Sequence, residues 1–355
     1  MERYARLLDL YLGHPLGGGD GDLLLEILKL LYTPEEAGLL AAVGFDPRTV
    51  EDISEAIRLR EDTVREVVRE LLRKRSIYFE KGGGVVRYSL YEPFPGLMMF
   101  PLIYAIKSGT AEGLRPLLEG YLRSRYGGED TKRSIVPVRV VPWGGVLPVG
   151  RGEIQAHLKV GRIIGSARET AVSRCPYMGD SGSGRLLDPE NVKGGTTFLF
   201  GDAARFAEDA GLGAQVKGGK GSELLSAVGK GIEEGVVLIT SKFAEGVEFL
   251  CCADAGSCIF LEGVRESVFP GTAINSGFAV RVTAADCTGC GTCREVCPVG
   301  AIRIGNIARI DDERCIGCGL CVNICPPKAM TMIKDRGVQV RLPRNKEELM
   351  RRAQK

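Results

Sequence analysis

One cysteine pattern, written twice, constrains this chain more than anything else in it. Cys287, Cys290, Cys293 and Cys297 stand in CTGCGTCREVCP, and Cys315, Cys318, Cys321 and Cys325 stand in CIGCGLCVNICP. Both segments read C-x2-C-x2-C-x3-C-P, and the second repeats the first at an offset of 28 residues, carrying Ala301-Ile302 onto Ala329-Met330. A disulfide framework needs an oxidising compartment. The opening MERYARLLDLYL, with Glu2 and Asp9 and no small-residue cleavage site, does not read as a secretory signal. One zinc ion takes four ligands and leaves four thiols unexplained, whichever halves are paired.

The repeated spacing is similar to that of the bacterial dicluster ferredoxins, over about residues 278–335. That resemblance implies two 4Fe-4S clusters. Each iron of a cubane takes one thiolate, three closely spaced cysteines wrap one face, and the fourth serves the opposite cluster. On that pattern Cys287, Cys290, Cys293 and Cys325 hold one cluster, and Cys315, Cys318, Cys321 and Cys297 hold the other. Gly289, Gly291, Gly317 and Gly319 let the loops approach the clusters, and Pro298 and Pro326 stop the helices that deliver the crossing cysteines. Val282, Val296, Ile302, Ile304, Ile310, Ile316 and Ile324 are expected to form a dry shell.

Ahead of this lies a helical pattern. Val64, Val67, Val68, Leu71 and Leu72 make one apolar face over Glu61–Lys74, and Thr49 is placed to cap a shorter helix carrying Val50, Ile53 and Ile57. IYFEKGGGVVRYSLY reads as a hairpin turning at Gly82–Gly84. Helices followed by a hairpin resemble a winged helix-turn-helix domain over 22–92, a likeness of pattern alone. Between Glu51 and Arg87, nine basic residues face eight acidic ones, a balance that supplies little phosphate affinity. Arg73-Lys74-Arg75 is the run best placed to touch a nucleic-acid backbone.

Residues 93–275 read as a small mixed α/β domain, with an apolar joint at Pro93–Ile106, edge strands between Ile135 and Pro148, a helix over Asp202–Ala210 and a buried strand at Val236–Ile239. The joint spans 14 residues with three prolines, short of the roughly 20 apolar residues of a membrane helix. Cys175, Cys251, Cys252 and Cys258 remain. Their segments, with GDAARFAEDAGLG between them, resemble ferredoxin-tailed proteins with winged-helix starts, and this implies a candidate extra metal site. This chain has one cysteine in the first segment where that group has several. Adjacent Cys251 and Cys252 diverge in a strand, and buried free cysteines packing as small hydrophobes are the competing reading.

His14 and His157 lie in no motif, GGKGSELLSAVGKG lacks the P-loop spacing, and Asp20 and Asp22 suit a helix start, so no catalytic residue is assigned. The expected architecture is α+β and multidomain: an extension at 1–21, the winged-helix-like domain at 22–92, the mixed α/β domain at 93–275, the ferredoxin-type domain at 276–335 and a basic, solvated tail at 336–355. The function expected is electron relay to or from a partner oxidoreductase in the cytoplasm, as a non-catalytic component more than an enzyme. The alternative is a redox- or iron-responsive winged-helix transcription regulator that binds DNA.

Overall fold

The apolar stripe that starts at Val64 winds into α5 (Glu61–Arg73), which buries Val64, Val68 and Leu71 and turns its charges outward. The structure is a computed structural model that describes residues 2–98, 101, 104–105, 109, 112–126, 136–143, 146–147, 160–165, 169–175, 194–209, 214–215, 221–267, 271, 274–334 and 342–353. His157, Met99, Phe100, Ala210 and part of the basic tail lie outside those residues. The chain divides into two units, Met1–Arg125 and Tyr126–Lys355.

In the first unit α2 (Gly21–Leu31) starts at Asp20, whose carboxylate accepts the N–H groups of Asp22 and Leu23. Reciprocal capping boxes start α3 (Pro34–Val43), through Thr33 and Glu36, and α4 (Val50–Ile57), through Thr49 and Asp52. Strands β1 (Ile77–Gly82) and β2 (Val85–Leu90) pair antiparallel from Ile77↔Leu90 to Gly82↔Val85. Their turn is Gly83-Gly84, with φ of 59° and 78°, the left-handed pair a two-residue hairpin requires. Helices and hairpin therefore follow the expected order.

The residues expected as an extension hold α1 (Glu2–Gly13), whose Leu7 and Tyr11 are fully buried. His14 packs on Phe45, ring centroids 4.3 Å apart, while its Nδ1 accepts the Leu16 N–H, a structural role. Leu97 and Met98, in the stretch expected as a domain joint, are buried in the same unit, and α6 begins at Leu114 and ends at Tyr126.

Arg73 and Lys74, of the basic run at the end of α5, pair with carboxylates of the same unit. Lys74 Nζ lies 2.7 Å from Glu36 Oε1, and Glu36 is only 5% exposed. Arg73 bonds Glu70 at 2.6 Å and lies over the Tyr104 ring, and Arg65 reaches both Glu51 and Glu61. Removing one member of a buried ion pair strands the other charge. Lys74→Met is expected to cost roughly 3 kcal/mol, and adding Glu36→Gln to recover most of it. Amide exchange in α3 of the full chain measures both; equal protection in parent and single variant would contradict the pair's role.

In the second unit, β3 (Val138–Val140), β4 (Thr170–Arg174), β5 (Thr196–Phe200), β6 (Ala214–Gln215), β7 (Val236–Ser241) and β8 (Phe249–Asp254) form a six-stranded antiparallel sheet in the order β3-β7-β8-β5-β4-β6. β3 is an edge strand, as the prolines around it suggest, and β7 is buried along its length. Helices α7 (Val160–Gly165), α8 (Asp202–Asp209), α9 (Gly221–Glu233) and α10 (Ile259–Glu266) accompany the sheet.

The cysteine repeat follows on β9 (Phe278–Val282), which pairs antiparallel with β12 (Met330–Lys334), from Val282↔Met330 to Phe278↔Lys334. Between them lie α11 (Thr292–Glu295), the hairpin β10 (Ile302–Ile304) and β11 (Ala308–Ile310), and α12 (Leu320–Ile324). The tail is less solvated than expected. It carries α13 (Lys346–Ala353) with Leu349 buried, and Arg344 Nε lies 2.9 Å from Glu245. No helix among the described residues is long and apolar enough to cross a membrane.

Candidate metal centre

Antiparallel pairing of β9 with β12 brings the two ends of the cysteine repeat together, and each half then wraps one cavity. The first cavity is lined by Cys287, Cys290, Cys293 and Cys325, with Ile304, Ala308 and Met330 behind them. The second is lined by Cys315, Cys318, Cys321 and Cys297, with Val280, Ile302, Ile310 and Leu320. Each cavity therefore receives three cysteines from its own segment and the fourth from the other. The shared apolar core between them includes Val280, Cys293, Ile302, Ala308, Cys321 and Met330.

Ile324 departs from the expected shell. It is 40% exposed, because Cys325 beside it turns inward and neighbouring side chains on one backbone diverge. Val280 and Met330 take its place in the core.

The loops have the backbone such a site needs. Gly317 has φ of 66°, and a Cβ there would strike the Phe278 carbonyl and the Ser276 hydroxyl. Its repeat partner Gly289 has φ of 67°, with the Asn306 carbonyl 2.8 Å from a Cβ. Any side chain at either position would be strained and crowded. The close approach is to neighbouring backbone and side chain as well as to the cavity.

Burial sets the thiol chemistry. It pushes Cys318 up to about 12 and Cys321 higher still, with neighbouring sulfurs adding to both. Cys315 is raised by burial and pulled back by the Gly317 N–H on its sulfur. Burial also raises Cys293. Exposed Cys290 moves the other way, lowered by the Thr292 hydroxyl. Buried neutral thiols become good ligands when a cation displaces their protons. Among the described residues, no group of three or more His, Cys, Asp or Glu stands close enough to hold one metal ion. Four thiols around each cavity match the donor set of a 4Fe-4S cluster, in which each sulfur reaches a separate iron.

Residues 279–340 match the family model of the 4Fe-4S dicluster domain. The carboxy-terminal part of this chain is a 4Fe-4S dicluster domain. No curated protein and no solved structure matches the chain.

The dicluster domain is held by side chains that the motif does not contain. Arg314, next to Cys315, donates to the carbonyls of Val299, Ser267 and Arg265, which ties the second loop to the end of α10. Val146 lies against Gly319, and Leu147 packs with Phe278 and Met332. Asn275 and Ser276 bond the backbone of the same loop. No sequence signal pointed to these residues; they lie up to about 170 positions from the loop they support.

Of the other four cysteines, Cys251 has Cys175 and Cys258 among its neighbours, and burial together with those sulfurs raises its thiol. Cys258 precedes α10, and burial raises its thiol, with the nearby Leu261 and Phe260 backbone offsetting part of the rise. Cys252 is fully buried and pushed up to about 12 by burial alone. Strand alternation in β8 turns Cys251 and Cys252 to opposite faces, so the four thiols do not share one face.

The two cavities differ in cover. Cys290, Thr288 and Pro326 at the first are exposed, whereas Val280, Pro298, Val299, Ile302, Ile316 and Leu320 wall the second and are buried. A water-soluble iron chelator added to the loaded protein is expected to remove iron from the Cys290 side first. Two successive losses in the visible and paramagnetic spectra would show this; simultaneous loss would contradict the unequal cover.

Proposed function

We propose that the protein relays single electrons through two 4Fe-4S clusters to or from a partner oxidoreductase. The observation that carries this reading is the crossed composition of the two cavities, three cysteines from one segment and the fourth from the other. In this reading Cys287, Cys290, Cys293 and Cys325 are one ligand set, and Cys315, Cys318, Cys321 and Cys297 are the other. Bound clusters supply one-electron uptake and release, with potentials set by burial and by hydrogen bonds to sulfur.

The chain's own residues supply the rest. Val280, Ile302, Ile310 and Leu320 exclude water from the second cavity, and Val282, Ile304 and Met330 line the core beside the first. Exposed Cys290 gives a partner protein its shortest approach to the ligand set. In this reading residues 1–275, among them the Met1–Arg125 unit, serve docking and regulation. DNA binding is the weaker account of that unit, because Arg65, Arg73 and Lys74 already face carboxylates and leave fewer cations for phosphates.

Replacing Cys297 by Ala is expected to abolish the cluster of the Cys315, Cys318 and Cys321 loop and to leave the other intact, read as loss of one of two paramagnetic signals. Loss of the signal belonging to Cys287, Cys290 and Cys293 instead would overturn the crossed assignment. In the same preparations, the iron-loaded chain is expected to pass through immobilised duplex DNA at physiological salt. Retention that weakens steeply as salt rises would favour the regulator.

A further inference from the structure

The two halves of the cysteine repeat are alike in sequence, but one of them is laced to a strap from outside the matched region. Gly271 N–H donates to the Glu313 carbonyl at 3.0 Å. Asn275 Nδ2 donates to the Cys315 carbonyl at 3.0 Å, Ser276 N–H to the Ile316 carbonyl at 3.1 Å, and Ser276 Oγ to the Gly317 carbonyl at 2.7 Å. Ser276 and Asn275 are buried, at 1% and 5% exposure. Asn275 is fixed in turn, because its Oδ1 accepts the Gly277 N–H at 2.5 Å, and Ser276 Oγ also accepts the Phe278 N–H at 3.3 Å. Among the described residues, no hydrogen bond from 271–276 reaches the equivalent loop at Cys287–Gly289.

In a trans peptide the carbonyl and the following N–H point to opposite sides. Three successive carbonyls, of Cys315, Ile316 and Gly317, are drawn outward to the strap. The N–H groups of Ile316, Gly317 and Cys318 are thereby turned toward the cavity. Gly317, at φ of 66°, gives the left-handed step of a backbone nest, the geometry that presents successive N–H groups to an anion.

We propose that Asn275 and Ser276 are positioning residues that preset the N–H cradle of the Cys315–Cys318 loop and thereby hold its cluster at a more positive potential than a free loop would. This rests on the two-cluster reading above. N–H groups aimed at sulfur favour the more negative, reduced state, so loosening them lowers the potential. The strap makes the repeat functionally unequal: one loop is tuned by the segment just ahead of β9, the other by its own segment.

The test is a redox titration of full-length, anaerobically prepared protein, followed by electron paramagnetic resonance. Ser276→Ala is expected to shift to more negative potential the signal that Cys297→Ala removes, with the second signal unmoved. Ser276→Thr, which keeps the hydroxyl, is expected to stay near the parent. Asn275→Ala is expected to shift the same signal in the same direction. Disappearance of that signal alone in Ser276→Ala, restored in Ser276→Thr, would also support the strap. Equal shifts of both signals, no shift in either alanine variant, or a Thr variant that behaves as Ala would overturn it. A parent protein without two signals would instead sink the two-cluster reading, so the two failures are distinguishable.

Discussion

Everything chemical in this chain depends on four sulfurs converging on each of two apolar cavities, with one sulfur of each set arriving from the other half of the repeat. Buried thiols held this close are costly as thiolates, and burial accordingly pushes Cys315, Cys318 and Cys321 upward. As thiolates they need positive charge beside them, which the irons of a bound 4Fe-4S cluster would supply at separate corners. The crossing cysteines also tie the two loops together, so the β9–β12 pair and the shared core between the cavities belong to one folding unit.

Within that unit, sequence symmetry conceals physical asymmetry. The first loop ends in exposed Cys290 beside the Thr292 hydroxyl. The second is walled by buried aliphatic residues and bonded along three consecutive carbonyls by the strap at Asn275–Ser276. Arg314 adds a link to the end of α10, the helix whose start carries Cys258 and whose neighbours include Cys251. In the relay proposed above, the Cys290 side is the stop open to a partner and the other is embedded against its own protein.

Legibility in the sequence followed the range of the interactions. The cysteine spacing is local chemistry, and it grouped the thiols that the cavities bring together. Capping signals such as Thr49, the stripe of α5 and the double-glycine turn are equally local, and each appears where expected. What escaped is long-range. The antiparallel order of the six-stranded sheet joins short strands separated by irregular segments, and no periodicity reports which strands become neighbours. Lys74 looked like a phosphate contact because its partner, Glu36, lies 38 residues earlier. Ser276 carried no signal at all, since a lone serine declares its role only when a carbonyl 41 residues away is placed against its hydroxyl.

The most direct measurement is iron and acid-labile sulfide on protein prepared without oxygen, with electron paramagnetic resonance of the reduced sample. The account requires about eight irons and eight sulfides per chain and two interacting cubane signals, by the composition of two 4Fe-4S clusters. A colourless, iron-free sample, or one holding only zinc, would contradict it.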